Sequence, residues 1–122
     1  MRQEFTIPLK LPSLNEVIGA NRGNKYVGAK MKRDIQADIG WIIKAACLRP
    51  CTKPVEIYLT FFEANRRRDV DNIISSTKFI LDALVETKIL PDDSQKWVEQ
   101  IHPLVQHSEE YAVEVVIEDV NM

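Results

Sequence analysis

The chain reads as a small α/β (α+β) domain, a mixed β-sheet packed with two main helices in the order β-α-β-α-β-β. Three observations predict it. Val55, Ile57, Leu59 and Phe61 alternate with Glu56, Tyr58, Thr60 and Phe62, the two-residue period of a half-buried strand. Met31, Ile35, Ile39, Ile42, Ile43 and Ala46 recur at helical spacing over 28–48. Ile73, Thr77, Ile80, Leu81 and Leu84 share one face of a second helix that runs to about Val85 or Lys88. A length of 122 residues predicts one domain over 1–122 with one core.

The remaining elements fall between these. Residues 2–9 place Phe5, Ile7 and Leu9 on one side of a first strand, and Pro8 belongs at an edge or near its end. Ser13 and Glu16 have capping-box spacing and start a short helical turn. Asn21-Arg22-Gly23-Asn24-Lys25 is turn chemistry. Pro50 and Pro54 punctuate the exit from the long helix, 66–72 is a loop, and Pro91-Asp92-Asp93-Ser94 is a turn. A strand from about Lys96 to His102 and another from about Tyr111 to Glu118 complete the chain, the latter burying Val113, Val115 and Ile117.

Composition excludes several classes. Four Gly and six Pro are too few for a disordered or repetitive chain. No apolar run approaches the ~20 residues that span a bilayer, and Met1-Arg2-Gln3-Glu4 lacks the opening of a signal peptide. A cytoplasmic protein with no membrane partner is expected. Cys47 and Cys51 make no disulfide framework, and no second pair exists to complete a zinc site. The net charge of −2 is unevenly spread: residues 1–68 carry +7 and residues 69–122 carry −9. A basic half suits a polyanion, although charge alone favours the plainer reading of two differently charged solvated faces.

The stretch 66–93 carries the chemistry. Asp69 and Asp71 stand two residues apart, and in extended backbone such side chains point the same way. Oxygen-only ligands on a short arc suit Mg²⁺, with Mn²⁺ as a substitute. Asp92 and Asp93 supply a second acidic pair, and Lys78 lies between on a helix. Carboxylates with a lysine are a solution to phosphodiester hydrolysis: a metal activates water, and the ammonium stabilises developing charge. Arg66, Arg67 and Arg68 adjoin this site, where phosphates would lie. Each piece also has a structural reading. Asp69 or Asp71 suits a helix N-cap, Asp92-Asp93 a turn, Lys78 a pair with Asp82, and the arginines a solvated loop. His102 and His107 read as solvent-facing or locally satisfied, and Trp41 and Trp97 as core or interface anchors.

The combination resembles the RusA family of Holliday junction resolvases. The residues that carry the resemblance are Arg67-Arg68-Asp69-Val70-Asp71-Asn72, Lys78, Asp82-Ala83-Leu84, Asp92-Asp93-Ser94-Gln95 and the early Pro12-Ser13-Leu14-Asn15. The resemblance implies a RusA-like fold and a Mg²⁺-dependent homodimeric endonuclease. Such enzymes cut two opposing strands of a four-way DNA junction symmetrically and are often encoded by prophages. It implies that Asp69, Asp71 and Asp93 are the catalytic carboxylates, with Asp92 beside them at the metal, and that Lys78 is the catalytic lysine. DNA contacts are expected from Arg66, Arg67, Arg68, Asn72, Asn15, Arg22, Lys25, Lys30, Lys32 and Arg33.

One spacing departs from the family. Its lysine usually follows the second Asp of the D-x-D-N motif by four residues, whereas Lys78 follows Asp71 by seven. On one continuous helix the two would lie about 10 Å apart along the axis. The three extra residues are therefore expected to widen the loop or first turn, with Ser75 or Ser76 capping the helix proper. A non-catalytic junction-binding protein, a metal-dependent nuclease for other branched DNA, and a structural or regulatory protein are the competing readings.

Overall fold

The computed structural model describes residues 1–23 and 25–120, with the side chains of Asn21 and Lys25 outside the description. Its elements are β1 (Arg2–Ile7), α1 (Leu14–Gly23), α2 (Lys25–Ala45), β2 (Val55–Glu63), α3 (Val70–Ile74), α4 (Thr77–Glu86), β3 (Val98–His107) and β4 (Ala112–Asp119). The expected order holds, with each helical segment divided in two.

The strands form one mixed sheet in the order β1-β4-β2-β3. β4 is antiparallel to both neighbours, while β2 and β3 run parallel. Parallel neighbours need a long crossover. Residues 64–97 supply it, and nearly all the candidate catalytic side chains lie on it. Along β2 every odd residue is buried and every even one half-exposed. The buried set meets Phe5, Ile7, Val113, Val115 and Ile117 on the same sheet face. Helices α2 and α4 cover that face with Ile39, Ile43, Phe79, Ile80 and Leu84, all at most 1% exposed. Each such side chain contributes about 1.5–3 kcal/mol on burial, so this layer is the main source of stability.

Three boundaries differ from the sequence expectation. Asn21–Gly23 continue α1 rather than forming a turn, and Lys25 already begins α2; Asn24 lies outside the described residues. β3 does not end at His102 but runs through Pro103 to His107. It is an edge strand, and Ser108 N–H donates to Glu63 O at 2.9 Å. With a two-residue period the even positions of β3 face β2, so the nitrogen of Pro103 faces outward, where a missing donor disrupts no ladder bond.

The third difference is the break at Ser75-Ser76. One helix was expected from Ile73, but α3 stops at Ile74 and α4 starts at Thr77. Ser76 N–H donates to Ile73 O at 3.2 Å and Phe79 N–H to Ser76 O at 3.0 Å, the tighter three-residue pattern. Ser76 occupies the N-cap position, as the spacing argument required, but its hydroxyl does not cap forward. It donates backward to Ile73 O at 2.8 Å, and Ser75 Oγ donates to Asn72 O at 2.6 Å. The serine hydroxyls thus donate to carbonyls of the turn where the helix is interrupted, Ile73 O receiving a second bond beside the Ser76 N–H.

Candidate active site

Asp69 and Asp71 straddle the start of α3. Asp69 sits at the N-cap position in extended backbone, and its carbonyl accepts the Ile73 N–H at 3.1 Å. Its carboxylate makes no capping bond. Asp71 lies inside the first turn, so the two do not share the extended geometry expected from sequence. Both are exposed, and Asp71 Oδ1 accepts the neighbouring Asn72 N–H at 3.0 Å.

The segment is tied to the N-terminal motif. Asn15 Nδ2 donates to Asn72 Oδ1 at 2.7 Å, and the Leu14 N–H donates to Ser75 Oγ at 3.1 Å. Ser13, which is buried, accepts the Glu16 N–H at 3.1 Å, as the capping-box spacing predicts. The start of α1 is thereby fixed against the α3–α4 break.

Lys78 stands on the first turn of α4. Its Nζ lies 3.0 Å from Asp82 Oδ1 and 3.6 Å from Asp93 Oδ2. The helical pair with Asp82 and the functional contact with Asp93 are therefore present together. Its pKa is raised, chiefly by the hydrogen bond and charge of Asp82, with a smaller contribution from Asp93. Gln36 on α2 donates to Asp82 Oδ2 at 3.2 Å. These groups line a groove of about 370 Å³ with Lys32, Val85 and Glu86. Asp92 bonds within its own turn, where Oδ1 accepts the Asp93 N–H at 2.9 Å. Bonds from Ser94 and that N–H hold its carboxyl below the usual range.

The structure joins Asp93 with Lys78 and Asn15 with Asn72. Among the described residues it gathers no three His, Cys, Asp or Glu side chains into a metal-holding group. Asp69 and Asp71 remain exposed oxygen donors, which suits an ion that keeps most of its water and takes the rest of its ligands from substrate phosphate.

The basic candidates divide. Arg68 points inward, with Nε and Nη2 donating to the two oxygens of Glu63 at 3.0 and 2.7 Å and Nη1 to Leu11 O at 2.8 Å. Its charge is committed to Glu63, which is 5% exposed, and its pKa is raised by that bond. A phosphate-binding role for Arg68 competes with this internal pair, whereas Arg66 and Arg67 are exposed. Lys32 faces the Lys78 groove. Lys30 pairs with Asp34 at 3.0 Å, and Arg33 and Arg22 are exposed. The Lys25 side chain lies outside the described residues.

Sequence reasoning missed Gln36, Glu86 and Glu63. Gln36 and Glu86 enter only because α2 packs against α4. Glu63 carried a signal, since an inward-facing acid on a strand needs a counter-charge. Trp41, read as a core or interface anchor, is 71% exposed.

Comparison with curated proteins gave no match. The family model described as "Endodeoxyribonuclease RusA" matches residues 8–118, which spans every element from α1 to β3 and nearly all of β4. The order of elements and the tie between the N-terminal Asn15 and the Asp69–Asn72 segment accord with that match, and the chain belongs to the RusA endodeoxyribonuclease family.

Proposed function

We propose that the protein resolves four-way DNA junctions by paired, symmetric, Mg²⁺-dependent hydrolysis, acting as a homodimer. The observation that carries the reading is the 3.6 Å approach of Lys78 Nζ to Asp93, two residues on different elements brought to one groove in a chain of this family. The break at Ser75-Ser76 supports it, because the extra residues between Asp71 and Lys78 fall where the helix is interrupted. A two-fold junction needs two sites related by a two-fold axis, which a symmetric dimer supplies.

Asp69 and Asp71 are the residues to hold the ion, with substrate phosphate and water completing its shell. Bound Mg²⁺ supplies Lewis acidity and a more acidic water. Lys78 acts as a fixed positive charge. Its folded pKa lies above the ordinary lysine value, so it loses its proton only as pH rises through that higher value and is cationic at neutral pH. It therefore does not serve as a general base there. It stabilises the charge that builds on the phosphoryl oxygens, and Asp93 and Asp82 hold it in place. Arg66 and Arg67 anchor flanking phosphates.

A labelled synthetic four-way junction, incubated with Mg²⁺ or EDTA, tests the reading. Symmetric paired nicks that vanish in EDTA and in Asp71→Asn are expected. A second reading, junction binding without cutting, is favoured by the separation of the acidic groups, since no three of them gather among the described residues. Retention of the junction with no nicks in Mg²⁺ or Mn²⁺ would establish it instead.

A further inference from the structure

Helix α2 presents to solvent a face that the proposed chemistry does not use. At 100° per residue, Tyr26, Lys30, Arg33, Ala37, Trp41 and Lys44 fall within an arc of about 80°, opposite Ile35, Ile39 and Ile42. Tyr26 and Trp41 are 72% and 71% exposed. Such exposure keeps a large apolar ring in water, an arrangement more common at binding surfaces than elsewhere. Lys44 Nζ stands 5.3 Å from the centroid of the Trp41 ring.

Trp41 also borders a groove of about 300 Å³ between α2 and α4. Gln36 and Glu86 line this groove and the Lys78 groove alike. The two are neighbours along the same helix pair, so a strand whose phosphate lies at Lys78 can continue along that pair toward Trp41.

We propose that Trp41 is a stacking platform for an unpaired base of branched DNA, and that Lys44 and Arg33 take the adjoining phosphates. The proposal rests on the nuclease reading of the Lys78 groove. An aromatic ring set among cations is the pattern that holds single-stranded nucleic acid, because stacking accepts any base and the cations follow the backbone. The shared wall adds groups for a base edge: the Glu86 carboxylate accepts from an exocyclic amine, and the Gln36 amide donates or accepts. Charge selects the occupant. A second copy placed on this face by a two-fold axis would set the cations of Arg33 and Lys44 against those of the other copy, whereas a polyanion complements them. A branch point suits the ring better than continuous duplex, since duplex bases are stacked on one another.

Trp41 and Trp97 are the chain's two tryptophans. In a Trp97→Phe protein the indole emission reports Trp41 alone, and adding a four-way junction is expected to quench it. Trp41→Ala is expected to weaken junction binding by roughly ten-fold or more, while Trp41→Phe stays within about three-fold of wild type. Affinity for linear duplex should change little in either. Circular dichroism checks that the variants fold. Unchanged junction affinity in a folded Trp41→Ala protein overturns the proposal, as does a loss of dimer mass on light scattering, which would make the face an interface between copies. If wild-type protein nicks junctions while Trp41→Ala nicks and binds equally well, only the Trp41 inference falls. If wild type neither binds nor nicks them, the nuclease reading falls with it.

Discussion

Replacing Arg68 by alanine leaves Glu63 buried without a counter-charge. Glu63 is 5% exposed, and both of its oxygens accept from the guanidinium. Breaking one partner of such a pair costs about 3–5 kcal/mol, because the remaining charge stays desolvated. Arg68→Ala should therefore lower the midpoint of urea unfolding sharply, whereas Arg68→Met with Glu63→Leu should recover most of the loss. A single variant as stable as wild type would show that the pair is not what fixes the end of β2. The same residue shows where sequence reading ends. Three consecutive arginines before an acidic motif look like one phosphate-binding cluster, but only the fold reveals that Leu11 O and Glu63 claim the third.

At the scale of the element, the end of α4 carries a strain that sequence alone did not locate. The Lys88 N–H donates to Val85 O at 3.0 Å and the Ile89 N–H to Leu84 O at 2.9 Å, the paired bonds of a Schellman cap. The cap requires a left-handed residue, and Lys88 supplies it at φ 65°. Glycine adopts that conformation without a Cβ penalty, so Lys88→Gly should stabilise the protein by about 1 kcal/mol. Thermal unfolding checks this, and a lower melting temperature would contradict it. The elements themselves were largely legible. β2 and β4 were plain because half their residues are driven into one core. The α1–α2 junction was not, because Asn-Arg-Gly-Asn is turn chemistry and tertiary packing of α1 on α2 outweighs it. Nor was the length of β3, since a proline usually ends a strand unless its nitrogen faces away from the neighbour. In the site, the spacing of Lys78, Asp82 and Asp93 was legible as a motif, but the divided helix between Asp71 and Lys78 was visible only as three surplus residues.

Across the whole molecule, the sheet face that the helices leave open is predominantly acidic, whereas exposed cations gather on α2. Glu4, Glu56, Glu114 and Glu118 stand on the sheet face that the helices leave open, at registers set by β1, β2 and β4. The exposed cations of α2 stand on the other side. The net −2 thus conceals a molecule able to approach DNA in one orientation. Arg33→Gln should reduce the slope of log affinity against log salt by about one unit, as loss of one phosphate contact does. Glu114→Gln should leave that slope unchanged. Equal slopes for Arg33→Gln and wild type would place the DNA elsewhere.

The position of β4 has a consequence for how the protein comes into being. The most C-terminal of the four strands is inserted between the first and the second, pairing with β1 on one side and β2 on the other. Until Ala112–Asp119 has emerged, β1 has no neighbour and the core face of the sheet is incomplete. The candidate site residues between Asp69 and Asp93 are translated before that, but the sheet that frames them closes only once β4 is present. Strand order alone thus makes the sheet that carries the 64–97 crossover depend on its most C-terminal strand.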